Sequence, residues 1–341
     1  MDALSSAPSR IARGYGAQQR RSCRPPPGAP PGSKRLQCPS VGPMKIRIGF
    51  GLGTRSFTND HATFDPFVDA LEDNGFDSLW MSERLGGECP DPIVGLAYAA
   101  GRTKRMKFGM SVLVLPGRNL AVLAKELASL DRLSDGRLLP AFGLGVADVH
   151  EQAAFGVERR ERAKMFNEAL PLLKRFWEDE PVTHHGDWYH YDEVSLLPKP
   201  AQKPMDIWLG GAAEVELRRC GRFGDGWLPS FCTPDIAAAG WKIVNEAADE
   251  HERWIDPEHF GVLIPYTHGE ISPGYKAILE RRAPDADPGD IIPTGWDGLR
   301  DQIQRFIEVG ASKFVPVLVG EPDDWFAELE GVANAVLPLQ N

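Results

Sequence analysis

The chain has 341 residues, of which 42% are hydrophobic and 25% charged, and its formal net charge at pH 7 is −10. This length is about twice the ~150 residues of an average domain, but it also suits a single α/β barrel of about 250 residues or more. The acidic balance argues against a nucleic-acid partner or an anionic membrane surface, and no apolar run reaches the ~18 residues that would span a bilayer.

Residues 1–43 differ in composition from the rest of the chain. They carry seven Lys or Arg, one acid and eight prolines, whereas residues 44–341 carry 31 basic and 47 acidic groups, a balance of −16. Such a proline-rich stretch buries too little apolar surface to offset its ordering entropy, so we expect a disordered tail. We favour Met44 as the natural start, with a transit peptide as the alternative. The sequence therefore predicts a tail at 1–43 and one folded domain at 44–341.

From Met44 onward, short β-rich runs alternate with amphipathic helical stretches. Eight strands are predicted, at Ile46–Phe50, Ser78–Met81, Lys107–Leu113, Leu138–Phe142, Asp206–Leu209, Gly226–Leu228, Phe260–Ile264 and Lys313–Leu318. Eight helices are predicted, at 64–74, 91–101, 119–132, 160–178, 213–223, 234–253, 297–309 and 323–331. This alternation implies parallel strands joined by right-handed crossovers. The predicted fold class is α/β, a single (β/α)8 TIM barrel with insertion loops, and an open doubly wound sheet is the alternative.

Two segments interrupt the alternation. Residues 180–204 predict a β-hairpin in which His184, His185 and His190 face solvent rather than share a metal, because adjacent residues of a strand point to opposite sides. Residues 266–296 are rich in Pro, Gly and Asp and predict a long loop near the seventh strand. Since ligands bind at the carboxyl ends of barrel strands, this loop is a candidate lid.

The five cysteines indicate a reduced, cytoplasmic chain. They are odd in number and form no Cys-x-x-Cys pair (Cys23, Cys38, Cys89, Cys220 and Cys232). Disulfide scaffolds and zinc sites use regular cysteine spacings, which this chain lacks. We therefore expect neither structural disulfides nor a metal site.

Candidate site residues directly follow the predicted strands. The turn Gly210-Gly211-Ala212-Ala213 enters a helix, so its amides and the positive end of the helix dipole suit a phosphate, although a tight turn without a ligand is the alternative. Glu83 and Arg84 follow the second strand, either over a ligand or as an ion pair with neighbouring loops. His150 follows the fourth strand and can reach the same end of the barrel.

No motif of a self-sufficient catalytic centre is present. The sequence contains no nucleophile elbow, Walker loop or zinc-binding histidine motif. This absence favours chemistry carried by a bound cofactor, for which the protein supplies position and electrostatics.

Several phrases resemble the luciferase-like monooxygenase family, the flavin- and coenzyme F-420-dependent oxidoreductases that include bacterial luciferase. They are Gly75–Glu83, Leu123–Glu126, Leu130–Arg137, Ala154–Gly156 with Glu161-Arg162, and Gly224–Trp227. The phrase Leu130–Arg137 is specific to the family when it follows Ala124-Lys125-Glu126 at this spacing. The resemblance covers most of residues 44–341 and implies a (β/α)8 barrel.

The resemblance also implies where the cofactor binds. The family's third strand carries a bulge or a nonprolyl cis peptide behind the flavin ring, at Ser111-Val112 here, and its loop after the fifth strand binds the ribityl phosphate. The cofactor-binding residues implied in this way are Glu83, Ser111, Val112, Val114, Leu144, Gly145, Gly210, Gly211, Ala212 and Ala213. Glu83, Arg84 and His150 are the catalytic candidates.

Two positions depart from the family's sugar-phosphate dehydrogenases. Arg84 stands where those enzymes have a histidine, and Val146 stands where they have a glutamate. Hydride abstraction from a sugar phosphate by that pair is therefore not expected, and Arg84 is a candidate to polarise a carbonyl or to bind an anionic group.

The resemblance implies three alternative functions. The first is coenzyme F-420-dependent hydride transfer to or from a small organic substrate, in a homodimer. The second is a monooxygenase that uses reduced flavin mononucleotide (FMN), supplied by a separate flavin or F-420 reductase. The third is a noncatalytic barrel that binds a flavin or another phosphate ligand.

Overall fold

The computed structural model describes residues 44–53 and 59–341. The strands are β1 (Arg47–Ile48), β2 (Phe50–Gly51), β3 (Ser78–Met81), β4 (Lys107–Met110), β5 (Leu113–Val114), β6 (Leu138–Leu139), β7 (Ala141–Gly143), β8 (Val182–His185), β9 (His190–Val194), β10 (Trp208–Leu209), β11 (Gly226–Trp227), β12 (Gly261–Tyr266) and β13 (Lys313–Leu318). The α-helices are α1 (His61–Asn74), α2 (Pro92–Arg102), α3 (Leu120–Leu133), α4 (Val149–Ala154), α5 (Arg159–Glu178), α6 (Glu214–Phe223), α7 (Pro234–Glu250), α8 (Pro273–Arg282), α9 (Pro288–Ile291), α10 (Gly295–Glu308) and α11 (Trp325–Val336). The tail predicted at 1–43 lies outside the described residues, and the division into tail and domain stays a prediction.

The predicted barrel is confirmed. Three of its strands are interrupted, so that β1 with β2, β4 with β5, and β6 with β7 each form one barrel strand. Parallel pairing runs from β2 through β3, β4–β5, β6–β7 and β10 to β11, and from β12 through β13 back to β1. Isolated parallel bridges join Trp227 to Phe260 and Ser230 to Leu263, between β11 and β12. Eight parallel strands therefore follow one another round the ring in chain order.

The barrel wall separates two apolar layers. Its interior is filled by a small cluster (Trp80, Ala141, Trp208, Leu228, Val315 and Val317), while the larger core lies between the strands and the helices. Glycines make room for the two interior indoles, because a Cβ at Gly109 would lie 2.2 Å from the ring of Trp80 and one at Gly226 would lie 2.5 Å from the ring of Trp208. Both tryptophans are almost fully buried, so the middle of the barrel is closed.

The hairpin predicted at 180–204 is confirmed, and it is fixed to α5 by one carboxylate. Antiparallel β8 and β9 form the hairpin, and Glu168 accepts backbone hydrogen bonds from Asp187, Trp188 and Tyr189 at 3.0 to 3.4 Å. His184, which was expected to face solvent, instead contacts the same carboxylate at 3.0 Å and is 24% exposed, whereas His185 and His190 are exposed as expected. Burial alone would raise the pKa of Glu168, but His184 and the three amides hold it below its ordinary value.

The segment 266–296, predicted as a long loop, instead contains α8 and α9. Pro273 and Pro288 each occupy the beginning of one of these helices. Proline has no amide hydrogen to lose at the first helical position and its φ is already helical, so it begins a helix there rather than ending one. The prediction of a long loop was therefore wrong, because two of the prolines in this segment begin helices.

The described residues include neither a membrane-spanning helix nor a metal cluster. No helix among them is both long and apolar enough to cross a bilayer. Within the same part of the chain, no group of three or more His, Cys, Asp or Glu is placed to hold a metal ion.

Candidate active site

The carboxyl ends of the strands form an open end of the barrel, here called the mouth. The mouth is lined by small or short side chains that are only half-buried, at Ser82, Ser111, Val112, Gly143 and Gly210. Directly below them, Trp80, Ala141 and Trp208 are 0 to 1% exposed and close the floor. Short side chains at the strand ends would let a flat ligand approach the backbone above this floor, and the space above the floor is here called the recess.

The third barrel strand breaks at the position that the family resemblance implies. The peptide bond Ser111–Val112 is cis and separates β4 from β5. The hydroxyl of Ser82 donates to the carbonyl oxygen of Ser111 at 2.9 Å, and the amide of Glu83 donates to the carbonyl oxygen of Val112 at 3.2 Å. The top of β3 therefore holds both carbonyls of this segment in place.

Glu83 is turned towards the protein rather than over the recess. Its Oε2 accepts the amide of Val114 at 2.6 Å, and its Oε1 is ion-paired with Arg118, whose Nε donates to the carbonyl of Val114 at 2.8 Å. Burial raises the pKa of Glu83, against the opposing effect of Arg118 and the Val114 amide. Both carboxylate oxygens are thus used to hold Val114, so the structure places Glu83 as a support for the Ser111–Val114 segment. Its catalytic role stays a prediction.

Arg84 and Glu151 form an ion pair across the mouth. The Nε of Arg84 donates to Oε2 of Glu151 at 2.8 Å, and the Glu151 side chain is 7% exposed. Glu151 lies on α4, whose start is capped by Asp148. His150 is on the same short helix but is exposed. Of the three catalytic candidates, the structure brings Glu83 and Arg84 to the top of β3 and leaves His150 in solvent.

Leu144 and Gly145 form the turn that leaves β7. Gly145 has a φ of +77°, a conformation that a side chain would strain. Arg162 reaches back from α5 and donates to the carbonyls of Leu144 at 2.6 Å and Val146 at 3.2 Å. The turn is therefore fixed from behind, with Leu144 half-buried beside the mouth.

The predicted phosphate turn is already bound to a carboxylate of its own helix. The amides of Ala212 and Ala213 donate to Oε2 of Glu216 at 3.0 and 3.1 Å. Gly211 has a φ of +103°, and its carbonyl accepts the indole N–H of Trp227 at 2.9 Å. A phosphate at this turn must therefore displace or accommodate the Glu216 carboxylate.

The segment 266–296 does reach the mouth, through the last residue of α8. Arg282 donates to the hydroxyl of Ser230 at 3.3 Å, and its guanidinium lies 5.3 Å from the ring centre of Phe231. Ser230 follows β11 at the carboxyl end. This contact agrees with the expectation that the segment lies over the open end of the barrel.

Sequence reasoning did not assign the residues that support the site. Arg118, Glu151, Arg162, Glu216 and Arg282 all make the contacts described above, and each lies one or more turns away from a strand end. Only Glu216 carried a local signal, because a glutamate in the first turn of a helix commonly accepts the free amides at the helix start.

The family comparison agrees with this geometry. The model of the luciferase-like monooxygenase family matches residues 47–270. The chain belongs to this family. The resemblance stated from the sequence is thereby confirmed.

Curated relatives share a common name. A protein of Kineococcus radiotolerans, named F420-dependent glucose-6-phosphate dehydrogenase, is 33% identical over 193 residues, which cover 54% of this chain and 56% of the relative. In this match the chain spans little more than half of the relative's length. A protein of Beutenbergia cavernae with the same name is 27% identical over 337 residues, covering 86% of this chain and 97% of the relative.

A solved structure shows the same fold. An F420-dependent secondary alcohol dehydrogenase in complex with an F420–acetone adduct superimposes with a TM-score of 0.72 at 20% identity. The superposition covers 87% of this chain and 100% of that one. The TM-score supports the barrel architecture of this chain.

Proposed function

We propose that this protein is a coenzyme F-420-dependent oxidoreductase that transfers hydride to or from a small organic substrate. The observation that carries the proposal is the mouth, where short, half-buried side chains stand at the strand ends and the indoles of Trp80 and Trp208 are buried inside the barrel. The names of the curated relatives support the deazaflavin, since one such alignment covers 97% of the relative. When bound, the deazaflavin supplies hydride chemistry in two-electron steps.

The residues present fit a flavin-type ring system. In this proposal Ser111 and Val112 would border one side of the ring, Leu144 and Gly145 would border the next, and the turn 210–213 would provide the third edge. A Cβ at Gly143 would lie 2.4 Å from the side chain of Val112, so glycine at this position lets the walls approach each other. Glu83 would fix the Ser111–Val114 segment beside the ring, and Arg162 would fix the turn at Leu144 and Gly145. The buried indoles below would exclude water from that side of the ring.

The substrate is not proposed to be a sugar phosphate, despite the relatives' name. Arg84 and Val146 stand where the sugar-phosphate dehydrogenases have a histidine and a glutamate. The pair that would accept the substrate's proton in those enzymes is therefore missing at both positions. Arg84 instead presents a guanidinium, which cannot act as a base near neutral pH.

A binding experiment tests the proposal. The purified full-length chain is titrated with oxidised coenzyme F-420 and, separately, with FMN, while the quenching of cofactor fluorescence is followed. We expect micromolar binding of coenzyme F-420 and weaker binding of FMN. Oxygen consumption with reduced FMN would instead indicate the monooxygenase, which would need a flavin reductase as partner. If neither coenzyme F-420 nor FMN binds, the proposed cofactor dependence is refuted.

We also propose a homodimer, supported by an apolar stripe on α2. Val94, Ala97, Tyr98 and Gly101 are exposed at helical spacing, and Val94 and Tyr98 are 67% and 47% exposed. A second copy of the chain would cover this stripe, because apolar residues that share a helix face are usually buried by a partner. Light scattering of the wild type and of Val94→Glu tests the proposed dimer. If the wild type is a dimer and Val94→Glu is a monomer, the α2 stripe is supported as the interface. A monomeric wild type refutes the homodimer.

A cytoplasmic location is proposed from the cysteines. Among the described residues, Cys89, Cys220 and Cys232 are all free thiols. Free thiols are typical of a reducing compartment. Cell fractionation with a tagged full-length chain is the direct test.

A further inference from the structure

The guanidinium of Arg84 is held from one side only. Its Nε is bound to the buried Glu151 at 2.8 Å, while within the part of the chain that the structure describes Nη1 and Nη2 have no hydrogen-bond partner. The Arg84 side chain is 38% exposed. Two parallel N–H donors of a fixed guanidinium therefore remain available to a ligand at the mouth.

The position of this ion pair follows from the barrel order. Arg84 comes after β3 and Glu151 after β7, and the barrel strand formed by β4 and β5 lies between them. A contact between the two side chains must therefore cross the top of that strand, which carries Ser111 and Val112. The free donors of Arg84 thus lie beside the edge of the recess assigned to the cofactor ring.

The charged groups near Arg84 are three arginines and three carboxylates. Arg118 is neutralised by Glu83, and Asp148 is exposed and accepts the amides at the start of α4. Arg162 is bonded to two carbonyl oxygens, and no carboxylate lies within ion-pairing distance of it among the described residues. The three arginines on this side of the mouth are therefore matched in number by three carboxylates, Glu83, Glu151 and Asp148, so an anion would be bound by the free donors of Arg84 and not by a surplus of positive charge.

We propose that Arg84, oriented by Glu151, binds an oxyanion of the substrate, so that the substrate of this enzyme carries a carboxylate or a phosphate group. This inference rests on the proposed F-420-dependent function and narrows it to an anionic substrate. Glu151 is a positioning residue, because it acts only through the orientation of Arg84. A planar guanidinium with two free parallel donors binds two oxygens of one anion at once, which a lysine in its place does not.

The test must separate lost binding from lost folding. Glu151 is buried, its Oε1 has no hydrogen-bond partner, and Arg84 is its partner in the structure. Removing Arg84 alone leaves an uncompensated buried carboxylate, which destabilises a protein strongly. The double variant Arg84→Gln/Glu151→Gln removes both charges together, and Arg84→Lys keeps the charge while removing the paired donors. Arg160→Gln, at an 80% exposed arginine paired with Glu158, is the control.

The experiment measures anion binding by calorimetry, with the full-length chain saturated with oxidised coenzyme F-420 and with the same chain free of it. Inorganic phosphate and acetate are the two probes. In the double variant we expect affinity for both anions to fall on the order of tenfold to a hundredfold, with Arg84→Lys intermediate and Arg160→Gln unchanged. Unchanged anion affinity in the double variant would overturn the proposal.

A second arm distinguishes the substrate from the cofactor as the source of the anion. The affinities of coenzyme F-420 and of its riboflavin-like fragment, which lacks the phosphate and the glutamates, are compared between the wild type and the double variant. We expect both to stay within about twofold. A selective loss of affinity for the intact coenzyme would show that Arg84 binds the cofactor's own anion and would overturn the proposal. Failure of the wild type to bind coenzyme F-420 at all refutes the proposed function instead, and the calorimetry of the cofactor-free chain still reports whether Arg84 binds anions.

Discussion

The carboxylate at the phosphate turn leads to a prediction about cofactor choice. Glu216 takes the amides of Ala212 and Ala213 at 3.0 and 3.1 Å, in the place where a cofactor phosphate would bind. Replacing Glu216 by Gln keeps a side-chain oxygen that can accept these amides, but it removes the negative charge. We expect the variant to bind FMN more tightly than the wild type does.

The magnitude follows from Coulomb's law. With the Glu216 carboxylate about 5 Å from a bound phosphate and an effective dielectric constant of about 20, one pair of unit charges costs about 3 kcal/mol. Glu216 is only half-buried, so solvent and salt reduce this to roughly 1 to 2 kcal/mol. Since 1.4 kcal/mol corresponds to a factor of about ten, the gain in affinity should be on the order of tenfold for each negative charge on the phosphate.

The gain should differ between the two cofactors. The terminal phosphate of FMN carries nearly two negative charges at neutral pH, as phosphomonoesters do, whereas the phosphodiester of coenzyme F-420 carries one. Glu216→Gln should therefore improve FMN binding more than F-420 binding, and the ratio of the two dissociation constants should move towards FMN. Fluorescence quenching at low and high salt measures both constants, and the difference should shrink at high salt.

The matched control is Glu214→Gln. Glu214 lies in the same first turn of α6, but it is exposed and paired with Arg218 at 3.0 Å instead of with the turn amides. If Glu214→Gln changes FMN affinity as much as Glu216→Gln does, the effect is one of overall charge. That outcome, or an unchanged FMN affinity in Glu216→Gln, would refute the reasoning.

Three further predictions concern the body of the protein. Removing residues 1–43 should leave coenzyme F-420 affinity unchanged, and loss of binding by the truncated chain would contradict the proposed division into tail and domain. Glu168→Gln should lower the free energy of unfolding by about 1 to 3 kcal/mol in urea denaturation, because three amides and His184 lose a charged acceptor; an unchanged urea midpoint would contradict this role. Burial alone would raise the pKa of Asp77, but Lys313 at 3.0 Å helps to hold it below its ordinary value. The resulting stability is present above the ordinary pKa of about 4 and is lost as the pH falls below it, so Asp77→Asn should flatten the acid side of the stability–pH curve.

The strand positions were predictable from the sequence because each barrel strand is buried on both faces. Runs such as Phe314–Leu318 and Leu79–Met81 are continuous apolar segments between helical stretches, and the structure places strands over both. The interruption at Ser111–Val112 followed only from the family resemblance, since neither residue is unusual in composition. By contrast, the helices within 266–296 were missed because Pro273 and Pro288 occupy helix starts.

The site was predictable only to the level of strand ends. Arg84 could be assigned to the mouth because it directly follows a strand, but its partner Glu151 lies 67 residues further along the chain. The turn predicted to bind a phosphate does lead into α6, and its phosphate binding stays a prediction. The position of Glu216 in the first turn of α6 was a local signal for its contact with the turn amides, whereas the contact between Arg84 and Glu151 had no such signal. Contacts of this kind depend on side-chain directions after the chain has folded, which periodicity does not encode.

By itself, the sequence determined the alternation of strands and helices and the family, and it predicted the end of the barrel at which a ligand is expected. These properties follow from local patterns, because burial on both faces and helix-start chemistry are set within a few residues. Only the tertiary structure decided what the charged side chains do. Glu83 binds the amide of Val114 and the guanidinium of Arg118. Glu216 accepts the amides of the turn 210–213, and two nitrogens of Arg84 keep free N–H donors among the described residues. The contacts of Glu83 and Arg84 result from long-range packing, in which a buried carboxylate takes the partner that the barrel brings within reach, whereas the contact of Glu216 is local.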